Sequence, residues 1–160
     1  MLKLQMIIVE VIQMAVKANH DISSGLDTAF INSAINSNLA YRPEFVSNDY
    51  TQGKKVSVAI ERELRHCDAF YISVAFITEG GLAPLKQVLA ELRDKGIPGK
   101  ILTTSYLTFT EPKALKTLAD LSNVEVRVYD STDEGASGFH TKGYIFKEEE
   151  IYRFIVGSSN

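Results

Sequence analysis

The order of apolar patterns in this chain predicts an α/β fold, with a mixed β-sheet flanked by helices. Three observations carry that prediction. From residue 54 onward, stretches with helical spacing alternate with short β-rich stretches, the arrangement that builds a sheet covered by helices. The run 69–77, AFYISVAFI, is almost unbroken in apolar residues, as a strand buried on both faces requires. The final stretch, 139–160, alternates apolar and polar residues on both sides of an acidic turn, the pattern of a β-hairpin.

Taken in order, residues 2–19 set Leu4, Ile7, Ile8, Val11, Ile12 and Ala15 near helical spacing, so an amphipathic helix is expected there. Its apolar stripe reads as packing surface. The DISSG break at 21–25 follows, and Ser24 or Asp27 caps a second helix reaching about Asn36. Residues 37–49 contain Pro43 and read as loop; Tyr41, Arg42 and Phe45 there either meet a partner or pin the loop to the core. The chain thus divides into a helical extension, 1–50, and an α/β domain, 51–160.

Within the domain, a helix is expected over 56–65, with Val56, Ile60 and Leu64 on one face. Strand 69–77 ends before Gly80-Gly81, and helix 82–94 turns Leu85, Val88, Leu89 and Leu92 inward before Lys95-Gly96 closes it. Strand 100–104, a helix over 113–121 opened by Pro112, and strand 124–129 come next. The 131–138 loop, STDEGASG, then delivers the chain to the hairpin.

Composition narrows the function classes. With 160 residues, 45% hydrophobic and 23% charged, the chain has the make-up of a soluble globular protein with a sizeable core. Its net charge of −3 gives no global basic signature for nucleic acid, so any such contact must come from a local patch. The single cysteine excludes an internal disulfide and, with no secretory leader evident, points to the cytoplasm. Residues 1–16 are interrupted by Lys3, Gln5, Glu10 and Gln13 and are too short and polar to span a bilayer. Gly53-Lys54 and Gly99-Lys100 stand outside any Walker frame, so ATP hydrolysis is not expected here. His66-Cys67-Asp68 has no second cluster of ligands at usable spacing, so neither a metal nor a cofactor is expected.

The chemistry gathers on the hairpin. Side chains two apart on a strand share a face, so His140 and Lys142 point the same way, and the returning strand can carry Ser158 and Asn160 back beside them. An imidazole, an ammonium, a hydroxyl and a carboxamide suit an oxygen-rich anion such as a phosphodiester. Gly157 permits close backbone approach to it. Tyr144 has the same parity and either faces the phosphate or enters the core. Stripped of its surroundings, His-x-Lys is a pair of surface residues on a hairpin, and GSSN an ordinary turn.

These residues resemble the HxK…GSxN signature of the phospholipase D superfamily, whose members cleave phosphodiesters through a phosphohistidine without a metal. The resemblance implies that His140 is the nucleophile and that Lys142, Ser158 and Asn160 hold the phosphoryl oxygens, with Gly157 and Tyr144 beside them. The family's aspartate falls at Lys147. Counted back from Gly157, Glu150 stands at that distance instead, either as a substitute acid or as part of a solvated turn. Restriction-type nucleases of the superfamily lack this aspartate and use an acid beyond the asparagine.

The similarity extends over 38–160. YRPEFVSNDY, CDAFYISVAFIT, GKILTTSYLTFTEPKAL and GFHTKGYIF resemble the N-terminal phospholipase D-like domain of bacterial superfamily II (DEAD/DEAH) helicases of restriction or phage-defence type. The implied activity is nuclease cleavage of DNA; the implied partners are nucleic acid and a helicase domain in a longer parent protein. The chain is accordingly expected to be the N-terminal part of that protein, since GSSN stands where a strand should hand over to another element. In the family a second histidine, from a second motif copy, protonates the leaving oxygen. Neither His20 nor His66 sits in such a frame, so a homodimer sharing one site is expected. The rival reading keeps the fold without turnover, as an inert nucleic-acid-binding or dimerisation module. Phospholipid turnover ranks below both, because no interfacial helix rich in Lys and Arg is present.

Overall fold

The computed structural model of the chain describes residues 16–17, 44–49, 51–130 and 139–158. Two compact units divide it, Met1–Val46 and Ser47–Asn160. Of the first, Val16 and Lys17 are helical. The expected helices of the extension otherwise lie outside the described residues, as do the 131–138 loop and Asn160.

The second unit is a mixed α/β domain. Helix α1 (Val56–His66) leads into strand β1 (Ala69–Val74). Its first free N–H, on Val56, is capped by the carboxamide of Asn48 at 3.0 Å. After β1 come a short turn (Glu79–Leu82) and a 3₁₀ turn (Ala83–Leu85), then helix α2 (Lys86–Asp94). One continuous helix over 82–94 was the expectation; Pro84, which has no N–H to donate, splits it. Strand β2 (Gly99–Thr104), helix α3 (Pro112–Ala119), strand β3 (Val124–Tyr129) and the hairpin of β4 (Lys142–Glu148) and β5 (Ile151–Val156) complete the domain.

The five strands lie in the order β3-β2-β1-β4-β5. β1 pairs in parallel with β2, and β2 with β3, so α2 and α3 are the crossovers that parallel neighbours need. β4 runs antiparallel to β1, and β5 antiparallel to β4. The carboxyl ends of β1, β2 and β3 therefore share one edge of the sheet with the start of β4 and the end of β5.

One face carries the core. Phe70, Ile72 and Val74 of β1, Ile101 of β2, and Tyr144 and Phe146 of β4 pack with Ile60 and Leu64 of α1, Val88, Leu89 and Leu92 of α2, and Ala114 and Leu118 of α3. The expectation that β1 is buried on both faces is corrected here. Tyr71 and Leu102, pointing to the other face, are each 38% exposed. Helices cover a single face among the described residues, and the apolar run in β1 leaves its odd-numbered positions outside that core. Gly99 is where β2 passes Phe70 most closely: a Cβ there would lie 2.0 Å from the ring.

Candidate functional site

The site residues are placed by where β4 begins. Lys142 is its first residue and pairs with Val74, the last of β1. Upstream, the Ala75 N–H donates to the Thr141 carbonyl at 3.0 Å, and the hydroxyls of Ser73 and Thr141 share a 3.0 Å hydrogen bond. These contacts hold His140 and Thr141 alongside β1 although the ladder has ended. His140 and Lys142 consequently stand at the carboxyl edge of the parallel strands, where open α/β sheets receive ligands.

His140 is exposed, whereas Lys142 is 5% exposed. The Lys142 ammonium lies 2.9 Å from Nδ1 of His140 and 3.3 Å from Nε2. It also stands 6.0 Å from the centroid of Phe76, within cation–π range. Among the described residues no carboxylate pairs with it. A cation removed from water without an anion is costly, and an arriving anion removes much of that cost.

β5 returns to the same edge. Gly157 N–H donates to the Lys142 carbonyl at 3.1 Å, one step past the last ladder pair, Gly143 with Val156. The chain bends at Gly157 and Ser158, which ends the strand alternation there, and Ser158 is exposed at this edge. His140 and Lys142 are in contact, Gly157 is bonded to the Lys142 backbone, and Ser158 is the next residue along the same edge; Asn160 lies outside the described residues.

Two residues singled out from the sequence sit elsewhere. Tyr144 shares the face of Lys142 but is buried in the core, and this desolvation raises the pKa of its hydroxyl. Glu150 is in the turn at the opposite end of the hairpin, about 20 Å of strand from Lys142. Glu149 of that turn has a φ of 51°, and its N–H donates to the Asp68 carboxylate at 2.7 Å. His66 ends α1 at the amino end of β1, with Nδ1 2.7 Å from the Arg62 carbonyl, away from His140. Cys67 is buried, its thiol donating to the Leu64 carbonyl. No three His, Cys, Asp or Glu side chains converge among the described residues.

Sequence reasoning passed over other residues of this edge. Phe76 stands beside the lysine. Ser105 follows β2 and donates through its hydroxyl to Asp130, which follows β3, at 3.0 Å. The signal that finds them is positional: each comes immediately after, or within two residues of, the end of a parallel strand.

No helix among the described residues is long and apolar enough to cross a membrane. No protein-family model matches the chain, and no curated protein matches it with significance.

Proposed function

We propose that His140 and Lys142 form a phosphodiester-cleaving centre, in a phospholipase D-like nuclease module that acts on DNA in the cytoplasm as part of a larger helicase or restriction-type protein. The observation that carries this reading is a buried lysine, Lys142, whose ammonium has no carboxylate partner among the described residues and lies 2.9 Å from Nδ1 of the exposed His140. A phosphate oxygen entering here takes the ammonium as counter-charge and sets phosphorus against the ring nitrogen. The imidazole nitrogen then forms a bond to phosphorus while the bond to the leaving oxygen breaks, and that oxygen takes up a proton. Water next attacks phosphorus, giving a proton back to the group that protonated the leaving oxygen, while the N–P bond breaks and its electron pair returns to the ring. Lys142 and the Gly157–Ser158 bend stabilise the charge that builds on the non-bridging oxygens. The protonating group in this reading is His140 of a second copy, since His66 is at the other end of β1.

The test is incubation of the chain with labelled DNA in EDTA, followed by acid-free quenching to trap phosphohistidine. Cleavage in EDTA that disappears in His140→Ala is the expected result. Cleavage that requires a divalent cation, or that survives in His140→Ala, overturns the reading.

Lys147 in place of the motif aspartate favours a second reading, an inert DNA-binding or dimerisation module. It expects DNA binding without a trapped phosphohistidine, and binding only mildly weakened by His140→Ala.

A further inference from the structure

Thr104, the last residue of β2, is a fully buried polar residue that the proposed chemistry does not use. Valine has the same branched shape and no polar atom to satisfy. A hydroxyl taken out of water needs a partner, and that of Thr104 donates to the Ala75 carbonyl at 3.0 Å. The Thr104 N–H donates to the same oxygen at a longer 3.3 Å. The Thr104 carbonyl in turn accepts from the Thr110 hydroxyl at 2.8 Å, so the end of β2 is itself held.

Ala75 links that hydroxyl to the site. It follows β1 directly and is fully buried. Its N–H donates to the Thr141 carbonyl at 3.0 Å, and that carbonyl belongs to the peptide unit leading into Lys142. The Ala75 carbonyl, which Thr104 holds, belongs to the peptide unit leading into Phe76. The Lys142 ammonium stands 6.0 Å from the Phe76 ring and 2.9 Å from Nδ1 of His140. One buried hydroxyl therefore braces the residue from which both Phe76 and the start of β4 take their position. Peptide units are planar and stiff, so a displacement of Ala75 carries into both.

We infer that Thr104 is a positioning residue: acting through Ala75, its hydroxyl sets the Lys142 ammonium against the His140 imidazole without touching the phosphate. The inference rests on the phosphodiester reading above and deepens it. The β1–β4 ladder ends where Val74 meets Lys142, so the backbone just beyond depends on such single bonds. Without the hydroxyl, the Ala75 carbonyl keeps the longer contact from the Thr104 N–H, and the edge that carries the site slackens. A binding or reacting group displaced by about 1 Å loses much of its effect.

The experiment titrates inorganic phosphate into the full chain, well below its melting temperature, and follows the His140 ring signals by NMR, identified by their loss in His140→Ala. Thr104→Val removes the hydroxyl and keeps the branched shape. It is expected to raise the phosphate Kd about fivefold, the scale of one buried hydrogen bond. Thr104→Ser keeps the hydroxyl and loses a methyl, so it is expected to melt lower and yet to bind phosphate within about twofold of the parent. Thr104→Ala differs from Thr104→Ser only in that hydroxyl and is expected to bind like Thr104→Val; this pair gives the answer if Thr104→Val does not fold. A hydroxyl that serves stability alone leaves the phosphate Kd unmoved in all three variants, and that result overturns the inference. Binding as weak in Thr104→Ser as in Thr104→Ala overturns it too. Lys142→Met separates the two levels. If Lys142→Met does not bind phosphate, a contrary result at Thr104 sinks this inference and leaves the phosphate reading standing. If its phosphate Kd equals the parent's, the phosphate reading fails and this inference falls with it.

Discussion

The ammonium of Lys142 is 2.9 Å from Nδ1 of His140, yet the two residues differ sharply in exposure: His140 is exposed and Lys142 is 5% exposed. A neutral imidazole nitrogen accepts this hydrogen bond but cannot cancel the charge. In the function proposed above, a phosphate oxygen beside Lys142 would supply the counter-charge that the imidazole lacks.

That asymmetry gives the first prediction. Lys142→Met keeps most of the apolar stem and removes the charge, so in anion-free buffer the variant is expected to melt at or above the temperature of the parent. Phosphate should stabilise only the parent, by about 1.4 kcal/mol at tenfold excess over its Kd, or roughly 4 °C for a chain of this size. Differential scanning fluorimetry with and without phosphate checks both halves. A Lys142→Met variant that still gains stability from phosphate would place the anion site elsewhere.

Much of the fold was legible because it rests on periodicity. The helix over 56–65, the strand at 124–129 and the hairpin turn were each read within a residue or so of where the chain forms them. What escaped was set by partners distant in sequence. The run 69–77 looks doubly buried because a single strand's composition cannot tell which of its faces meets helices; Tyr71 and Leu102 show that one does not. Strand parity put Tyr144 on the face of Lys142, but depth along the sheet decided that it enters the core while His140 stays outside. Glu150 was counted by distance from Gly157, and counting along a hairpin does not reveal that the turn and the strand ends are at opposite poles. Phe76 and Phe109 carried no motif at all. Their meeting depends on β1 and β2 lying side by side.

A second prediction concerns the seam between those two strands. Phe70 is fully enclosed and packs over Gly99, its ladder partner, so an added methyl has no space unless the ring moves. Gly99→Ala is expected to destabilise the domain by about 1–3 kcal/mol through overpacking. Combining it with Phe70→Leu should recover part of that loss, a coupling that a denaturant double-mutant cycle measures directly. Strict additivity would mean that the two positions do not compete for the same space.

A third follows from Cys67. Burial pushes its thiol up to about 11, from an ordinary value of 9.0. At pH 8 the native chain should therefore resist a disulfide reagent that reacts at once with the unfolded chain. The sign of the pH effect is fixed by linkage. Between pH 9 and about 11 the unfolded thiol gives up its proton while the folded one keeps it, so stability falls as pH rises across that window. Cys67→Ala should flatten this alkaline loss in urea titrations. Rapid labelling of the native thiol at pH 8 would contradict the enclosed position.

The last prediction tests how the site edge is braced. Just beyond β1, the Glu79 carboxylate accepts from Lys86 of α2 at 2.9 Å and from the hydroxyl of Thr117 of α3 at 3.2 Å, with Lys113 of α3 at 3.8 Å. The turn leaving β1 is thereby tied to both crossover helices. Hydrogen bonding to Lys86, first among these influences, holds the Glu79 carboxyl below its ordinary value of 4.5. The stabilisation is therefore present above the unfolded pKa and is lost as pH falls through that value and below it. Glu79→Gln should melt slightly below the parent at pH 7, and the two curves should draw together as the pH falls below 4.5. The difference at pH 7 should also shrink in high salt, because the lysine contacts are at the surface. A gap that stayed unchanged as the pH was lowered through the acid range would show that the side chain's packing, not its charge, ties the turn to α2 and α3.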